Sequence, residues 1–262
     1  MSRKIKIIIL LILSLSVYFI YQKNNQKSIK VISLGDNLSL GINSYGIKNY
    51  SYLDYYKDFI KEKYNKVEIN KKYSNSDLTI FELLEKIKTS PEIKRDIRES
   101  NILILNVGYN DLIYKLSLEK NLTQNLFQKR MNEITNSYQY LIKEIKKYYP
   151  NKIIVIGYYH RNINDYYQNL GIRKLNSVLK ENSEVIYINT IFLLNNSNKY
   201  FQNPNSYYPN QLAYQKIAEE IYKKTLENNI IIWYSNMALN YYDEWIVMAE
   251  GERIWKKIYI QK

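Results

Sequence analysis

An α/β fold, a parallel sheet with helices on both faces, is what this chain predicts, and three observations predict it. Short runs rich in Ile, Val and Leu recur at residues 30–34, 67–69, 102–107, 152–158 and 185–189. Between them, apolar residues return at helical spacing. The run Ile102-Leu103-Ile104-Leu105-Asn106-Val107 is apolar without alternation, as expected of a strand covered on both faces. The order βαβαβαβαβα follows, and parallel neighbours need such crossover helices.

Taken in order, the chain opens on a basic segment, Ser2 to Lys6, before an uncharged, mostly apolar run from Ile7 to Tyr21. That run is short for a spanning helix, which uses about 20 residues and at least about 17. Lys6 and Lys23 can snorkel at its ends to make up the difference. A cleaved signal would need small residues at its end, and Ser14-Leu15-Ser16 sits too early, with Val17-Tyr18-Phe19-Ile20 still to come. Residues 1–22 therefore read as a membrane anchor in preference to a cleaved signal, and 23–29 as a polar tether. The basic flank favours a cytoplasmic N-terminus and a domain on the extracytoplasmic side of the cell membrane, with secretion as the alternative.

The domain proper spans 30–228. Leu53, Tyr56, Phe59, Ile60 and Tyr64 mark a first helix. Ser76 or Asp77 can cap a second, with Leu78, Phe81, Leu84 and Ile87 on one face. Ser90-Pro91 starts a third, since proline suits the first helical position. Long helical patterns follow from about Leu122 to Tyr148, Asn164 to Leu179 and Asn210 to Glu227. Beyond them, residues 229–262 form a C-terminal extension holding Trp233, Trp245 and Trp255, with an amphipathic helix expected through Leu239, Tyr242, Ile246 and Ala249.

Composition narrows the chemistry. Net charge is +13, so anionic neighbours are favoured, yet no zinc-ligand spacing or aromatic–basic strand motif points to nucleic acid. The chain lacks cysteine, which rules out disulfides and thiol chemistry. Its 29 tyrosines accompany heavy use of Lys, Asn and Ile, and so carry little functional weight one by one.

The chemistry-bearing stretch is the end of the first strand, Leu34-Gly35-Asp36-Asn37-Leu38-Ser39-Leu40-Gly41. In an open α/β sheet ligands bind outside the carboxyl ends of the strands. Gly35-Asp36-Asn37-Leu38-Ser39 resembles the first block of the SGNH (GDSL) hydrolases, Gly-Asp-Ser-Leu-(Ser/Thr), in which the Ser is the nucleophile of an ester-cleaving triad. Gly108-Tyr109-Asn110-Asp111 resembles the family's Gly-x-Asn-Asp block, whose Asn amide donates to the oxyanion. Asn205-Ser206-Tyr207-Tyr208-Pro209-Asn210 and the helix after it resemble Asp-x-x-His-Pro-Asn, which carries the catalytic Asp and His. The resemblance covers about Lys30 to Asn228. It implies a three-layer, flavodoxin-like fold with a pocket formed around Gly35, Asp36, Asn37, Gly108, Asn110 and Asp111.

The triad is where the chain departs from the family. Its three positions hold Asn37, Asn205 and Tyr208, and no glycine stands near Ser74-Asn75-Ser76 where the family has a further oxyanion donor. An amide offers no lone pair that a base could sharpen, and a phenol of pKa near 10 is a poor proton shuttle beside imidazole at about 6.5. Other groups are weaker candidates. Ser39 is expected to hydrogen-bond the turn, and His160 to be a loop residue. Asp36 and Asp111 with Asn37 and Asn110 could suit a hard metal. The simpler reading has Asp36 bracing its own turn and Asp111 capping the helix that follows it.

These expectations converge on a membrane-anchored, exported SGNH-like protein without serine-esterase chemistry, needing no cofactor or metal. It would bind an acyl- or glycan-bearing ligand or an envelope protein partner. The alternatives are an active esterase using relocated groups such as Ser39 or His160, and a basic module docking on anionic envelope polymer or lipid.

Overall fold

The computed structural model describes residues 28–61, 63–64, 66–113, 116, 122–159, 166–195, 197–203 and 206–230. The expected anchor and tether lie outside these up to residue 27, as do Asn205, His160 and the extension from residue 231 onward. Among the described residues no helix is long and apolar enough to cross a membrane. Two compact units divide the chain, residues 1–224 and 225–262; the second is described only over 225–230.

Strands β1 (Ser28–Gly35), β2 (Lys66–Asn70), β3 (Ile102–Asn106), β4 (Ile153–Ile156) and β5 (Val185–Ile188) form one sheet, every pairing parallel, in the order β2-β1-β3-β4-β5. The five expected runs are these five strands. Strand direction reverses its lateral progress between β1 and β3, and a crevice opens at such a switch point.

Residues alternate across the sheet, and both faces are dry. Ile32, Leu34, Leu103, Leu105, Ile153 and Val155 share one face and join a large buried cluster. That cluster takes in apolar residues of α3 (Ile80–Thr89), α4 (Pro91–Glu99), α6 (Gln124–Lys146) and α7 (Tyr166–Glu181). Val31, Ile104, Ile154 and Ile156 project the other way and are as deeply buried. Buried residues of α2 (Tyr52–Lys61) and α10 (Gln211–Glu227) lie outside the first cluster, and Phe59 of α2 meets Tyr222 of α10 with ring centroids 5.9 Å apart. Short helices α1 (Asn37–Leu40), α5 (Tyr109–Leu112), α8 (Thr190–Leu193) and α9 (Ser197–Tyr200) complete the described elements.

Two expectations need correction at α3. Its cap is Thr79, not Ser76 or Asp77, and Thr79 forms a reciprocal capping box with Glu82. Starting there turns Ile80, Leu83, Leu84 and Ile87 inward and leaves Phe81 68% exposed. Both sets have helical spacing, so periodicity alone could not choose between them. Ser90 caps α4 with Pro91 in its first turn, as expected.

Candidate functional site

Three strand-end segments and the loop before α10 meet at the carboxyl edge of the sheet. The first begins where β1 breaks at Gly35. A Cβ at Gly35 would stand 2.0 Å from the Ser39 hydroxyl, so only glycine lets α1 fold back this tightly. The Asp36 N–H donates to the Asn106 carbonyl at 2.9 Å, tying the turn to β3. The Asp36 side chain accepts from the Leu38 N–H at 3.2 Å and caps α1. Burial pushes its carboxyl up to about 7 despite that donor, with the Asp111 charge adding to the rise.

The second segment follows β3. Gly108 takes a φ of 119°, a left-handed conformation suited to glycine, and starts α5 with Asn110 and Asp111 in its first turn. Asp111 also reaches a helix that starts earlier in the chain. It accepts from the Ile80 N–H at 2.9 Å, and so braces the N-terminus of α3. That contact is tertiary: α3 begins beside α5, and its first N–H groups lack intrahelical acceptors. Among the described residues no group of three or more metal-ligating side chains gathers, and Asp111 is committed to a helix end.

The third and fourth segments bring tyrosines. Tyr158 and Tyr159 follow β4, while Tyr207 and Tyr208 lie in the loop before α10. That loop is pinned on several sides. The Ser44 hydroxyl donates to the Tyr208 carbonyl at 2.9 Å, the Tyr208 N–H to the Ser206 hydroxyl at 3.1 Å, and the Tyr159 hydroxyl to the Tyr207 carbonyl at 2.8 Å.

The sequence-named positions Gly35, Asp36, Asn37, Gly108, Asn110, Asp111 and Tyr208 therefore gather at one edge, whereas Asn205 lies outside the described residues. The Asn37 amide N–H groups reach the Tyr208 hydroxyl at 3.0 Å and the Ser76 carbonyl at 3.2 Å. The Asn110 amide donates at 3.0 Å to the Ser76 carbonyl and again at 3.0 Å to that of Leu78. One amide has two N–H donors, so both side chains have spent theirs on the protein. The Asn75 N–H is likewise engaged, by the Gly35 carbonyl at 3.0 Å. Burial, then the nearby Asp36 and Asp77 charges, raise the Tyr208 phenol above its ordinary value, against the lowering effect of the Asn37 hydrogen bond.

Ser39 does not bond its own turn. Fully buried, it shares a 2.8 Å hydrogen bond with the Tyr52 hydroxyl of α2.

A cleft of about 530 Å³, open solvent included, lies over these residues. Asp36, Asn37 and Asn110 line it together with Tyr109, Tyr158, Tyr159, Tyr207 and Tyr208. Apart from Tyr208, those tyrosines escaped the sequence reading. Their signal was position, directly after strand ends or inside a motif, and it was drowned by the chain's general use of tyrosine.

The comparisons agree with this geometry. Three solved structures share the fold: a lipase, Lip_vut3, from a goat rumen metagenome (18% identity, 75% of this chain and 97% of that one, TM-score 0.65); an acetylxylan esterase from Geobacillus stearothermophilus (15%, 75% and 93%, TM-score 0.55); and a lipase/acylhydrolase from Enterococcus faecalis (16%, 75% and 95%, TM-score 0.55). At such identities the likeness concerns the fold alone. No curated protein matches the chain by sequence. The family model for GDSL-like lipase/acylhydrolases matches residues 31–221, from the middle of β1 into α10. By that match, and with its motif residues gathered at the carboxyl edge of a parallel sheet, the chain belongs to the GDSL-like lipase/acylhydrolase family.

Proposed function

We propose that this family member has given up serine-esterase chemistry and uses its cleft to bind. The observation that carries the reading is the 3.0 Å hydrogen bond from the Asn37 amide to the Tyr208 hydroxyl. Nucleophile and base stand in hydrogen-bond reach in an acyl-transfer triad. Here that contact is made by two groups that can neither attack a carbonyl nor shuttle a proton near neutral pH. The amide that would stabilise an oxyanion, on Asn110, is held by two backbone carbonyls. Ser39, the relocated nucleophile of the rival reading, has no access to a substrate from its place against Tyr52.

The ligand is an acyl- or glycan-bearing molecule or a protein partner of the cell envelope. The N-terminal apolar run would tether the domain to the cell membrane, on its extracytoplasmic side. The +13 charge supports a second contribution, attraction of the surface to anionic polymer or lipid.

The test is turnover of p-nitrophenyl acetate by the full chain and by a triple back-substitution, Asn37→Ser with Asn205→Asp and Tyr208→His. The native chain is expected to match a heat-denatured control. Turnover that Asn37→Ala abolishes would overturn the proposal. Activity gained only by the triple variant would locate the loss in the triad.

A further inference from the structure

The charge of the cleft runs against that of the chain. Of the 38 lysines and arginines, none lines it among the described residues, and the one acidic side chain of the described lining is that of Asp36, itself nearly buried. Its walls are rings. Tyr109 stacks on Tyr158 with centroids 5.7 Å apart at 27°, and meets Tyr207 at 6.0 Å and 57°. The aromatic wall therefore turns a corner. Tyr207 remains 37% exposed, with area left for a ligand to cover. Behind the wall the Tyr158 hydroxyl is buried near the Tyr109 backbone and completes no hydrogen bond.

The polar inventory is as one-sided as the charge. The N–H groups of Asn37 and Asn110 are consumed by Tyr208 and by the carbonyls of Ser76 and Leu78. What remains in the described lining is π faces, tyrosine hydroxyls and the carboxyl oxygens of Asp36, with no cationic side chain. An anionic group entering here would shed water and meet no cation among the described lining residues, at a net cost. A quaternary ammonium group has no N–H to satisfy, and ring faces attract it most when it is desolvated. We infer that the cleft seats a trimethylammonium group, of the kind carried by choline, against Tyr109 and Tyr207 with Asp36 beneath it. This rests on the binding reading above and names what that cleft recognises: an acyl- or glycan-bearing molecule fits insofar as it carries such a group.

The experiment is calorimetric titration of the full chain with choline, and with 3,3-dimethylbutan-1-ol, which replaces the charged nitrogen by carbon at nearly the same shape. Choline is expected to bind saturably, about tenfold or more tighter than the neutral isostere. Tyr207→Leu and Tyr109→Leu should each weaken choline about tenfold, while Tyr207→Phe, which keeps the ring, should not. Tyr207 is the safer position because it is partly exposed, and circular dichroism of each variant checks that it folds. Comparing choline with glycerophosphocholine separates a free small molecule from a lipid headgroup as the source; binding of either supports the assignment. Absence of saturable binding, equal affinity for the isostere, or indifference to both leucine variants would overturn it. So would xylo-oligosaccharide binding without choline binding. Ester turnover is measured separately, so a protein that neither cleaves ester nor binds choline rejects this assignment alone, whereas one that cleaves ester rejects the reading beneath it.

Discussion

Asp36 is a carboxylic acid placed where its charged form is poorly solvated, and the pH dependence of stability should report it. Its folded-state pKa of about 7 lies above the ordinary 3.8, so the native state holds a proton that the unfolded chain has released. Stability from this group is present in full below pH 3.8 and is lost as pH rises through about 7. Urea unfolding of the native protein and of Asp36→Asn between pH 5 and pH 8 isolates the effect. The native protein should lose a few kcal/mol relative to the variant across that range. A constant difference would mean that Asp36 is ionised throughout. Asn110 gives a second residue-scale prediction. Asn110→Ala removes the donor to two part-buried carbonyls, Ser76 and Leu78, and should cost about 1–3 kcal/mol in urea unfolding. A purely catalytic amide would leave stability almost untouched.

At the scale of elements, α3 is held at its start by two devices from different parts of the chain. Thr79 and Glu82 close a capping box within the helix, while Asp111 arrives from α5 to take the Ile80 N–H. Thr79→Ala should cost about 1 kcal/mol. Asp111→Ala should cost more, because it leaves a buried N–H without its acceptor. Thermal unfolding of the two variants ranks them, and equal losses would mean that water replaces Asp111. The β1–α1 turn depends equally on one residue. Gly35→Ala forces a methyl onto Ser39 and against the Asn106 carbonyl at 3.1 Å, which should cost about 1–3 kcal/mol as overpacking.

For the whole molecule, surface charge and cleft should respond differently to salt. The chain carries +13, and several ion pairs of the described residues are exposed on both sides, as in Lys30–Glu99 and Lys61–Asp58. Such pairs contribute little to stability. Adsorption to anionic vesicles should weaken strongly between about 50 mM and about 500 mM salt, since exposed charges are screened beyond a few ångströms at the higher value. Ligand binding in the cleft, which no described lysine or arginine lines, should lose far less. Parallel decline of the two would place the ligand on the basic surface instead.

Sequence alone determined the strands, the parallel class and the three motif blocks, because each is a local pattern. Runs such as Ile102 to Asn106 are apolar enough to be strands in any context that covers them, and glycines at 35 and 108 announce turns by their own conformational needs. Only the tertiary structure decided which partners those residues take. The Ser76 carbonyl collects amides from residues 39 and 34 positions away, Asp111 serves a helix that begins 31 positions earlier, and Ser39 turns into the core towards Tyr52. Four tyrosines unremarkable in a chain of 29 become the walls of a cleft because β3, β4 and the loop before α10 end side by side. Propensity and capping act over a few residues of chain, whereas a buried donor is satisfied by whatever acceptor packing brings to it, and packing is a property of the whole fold.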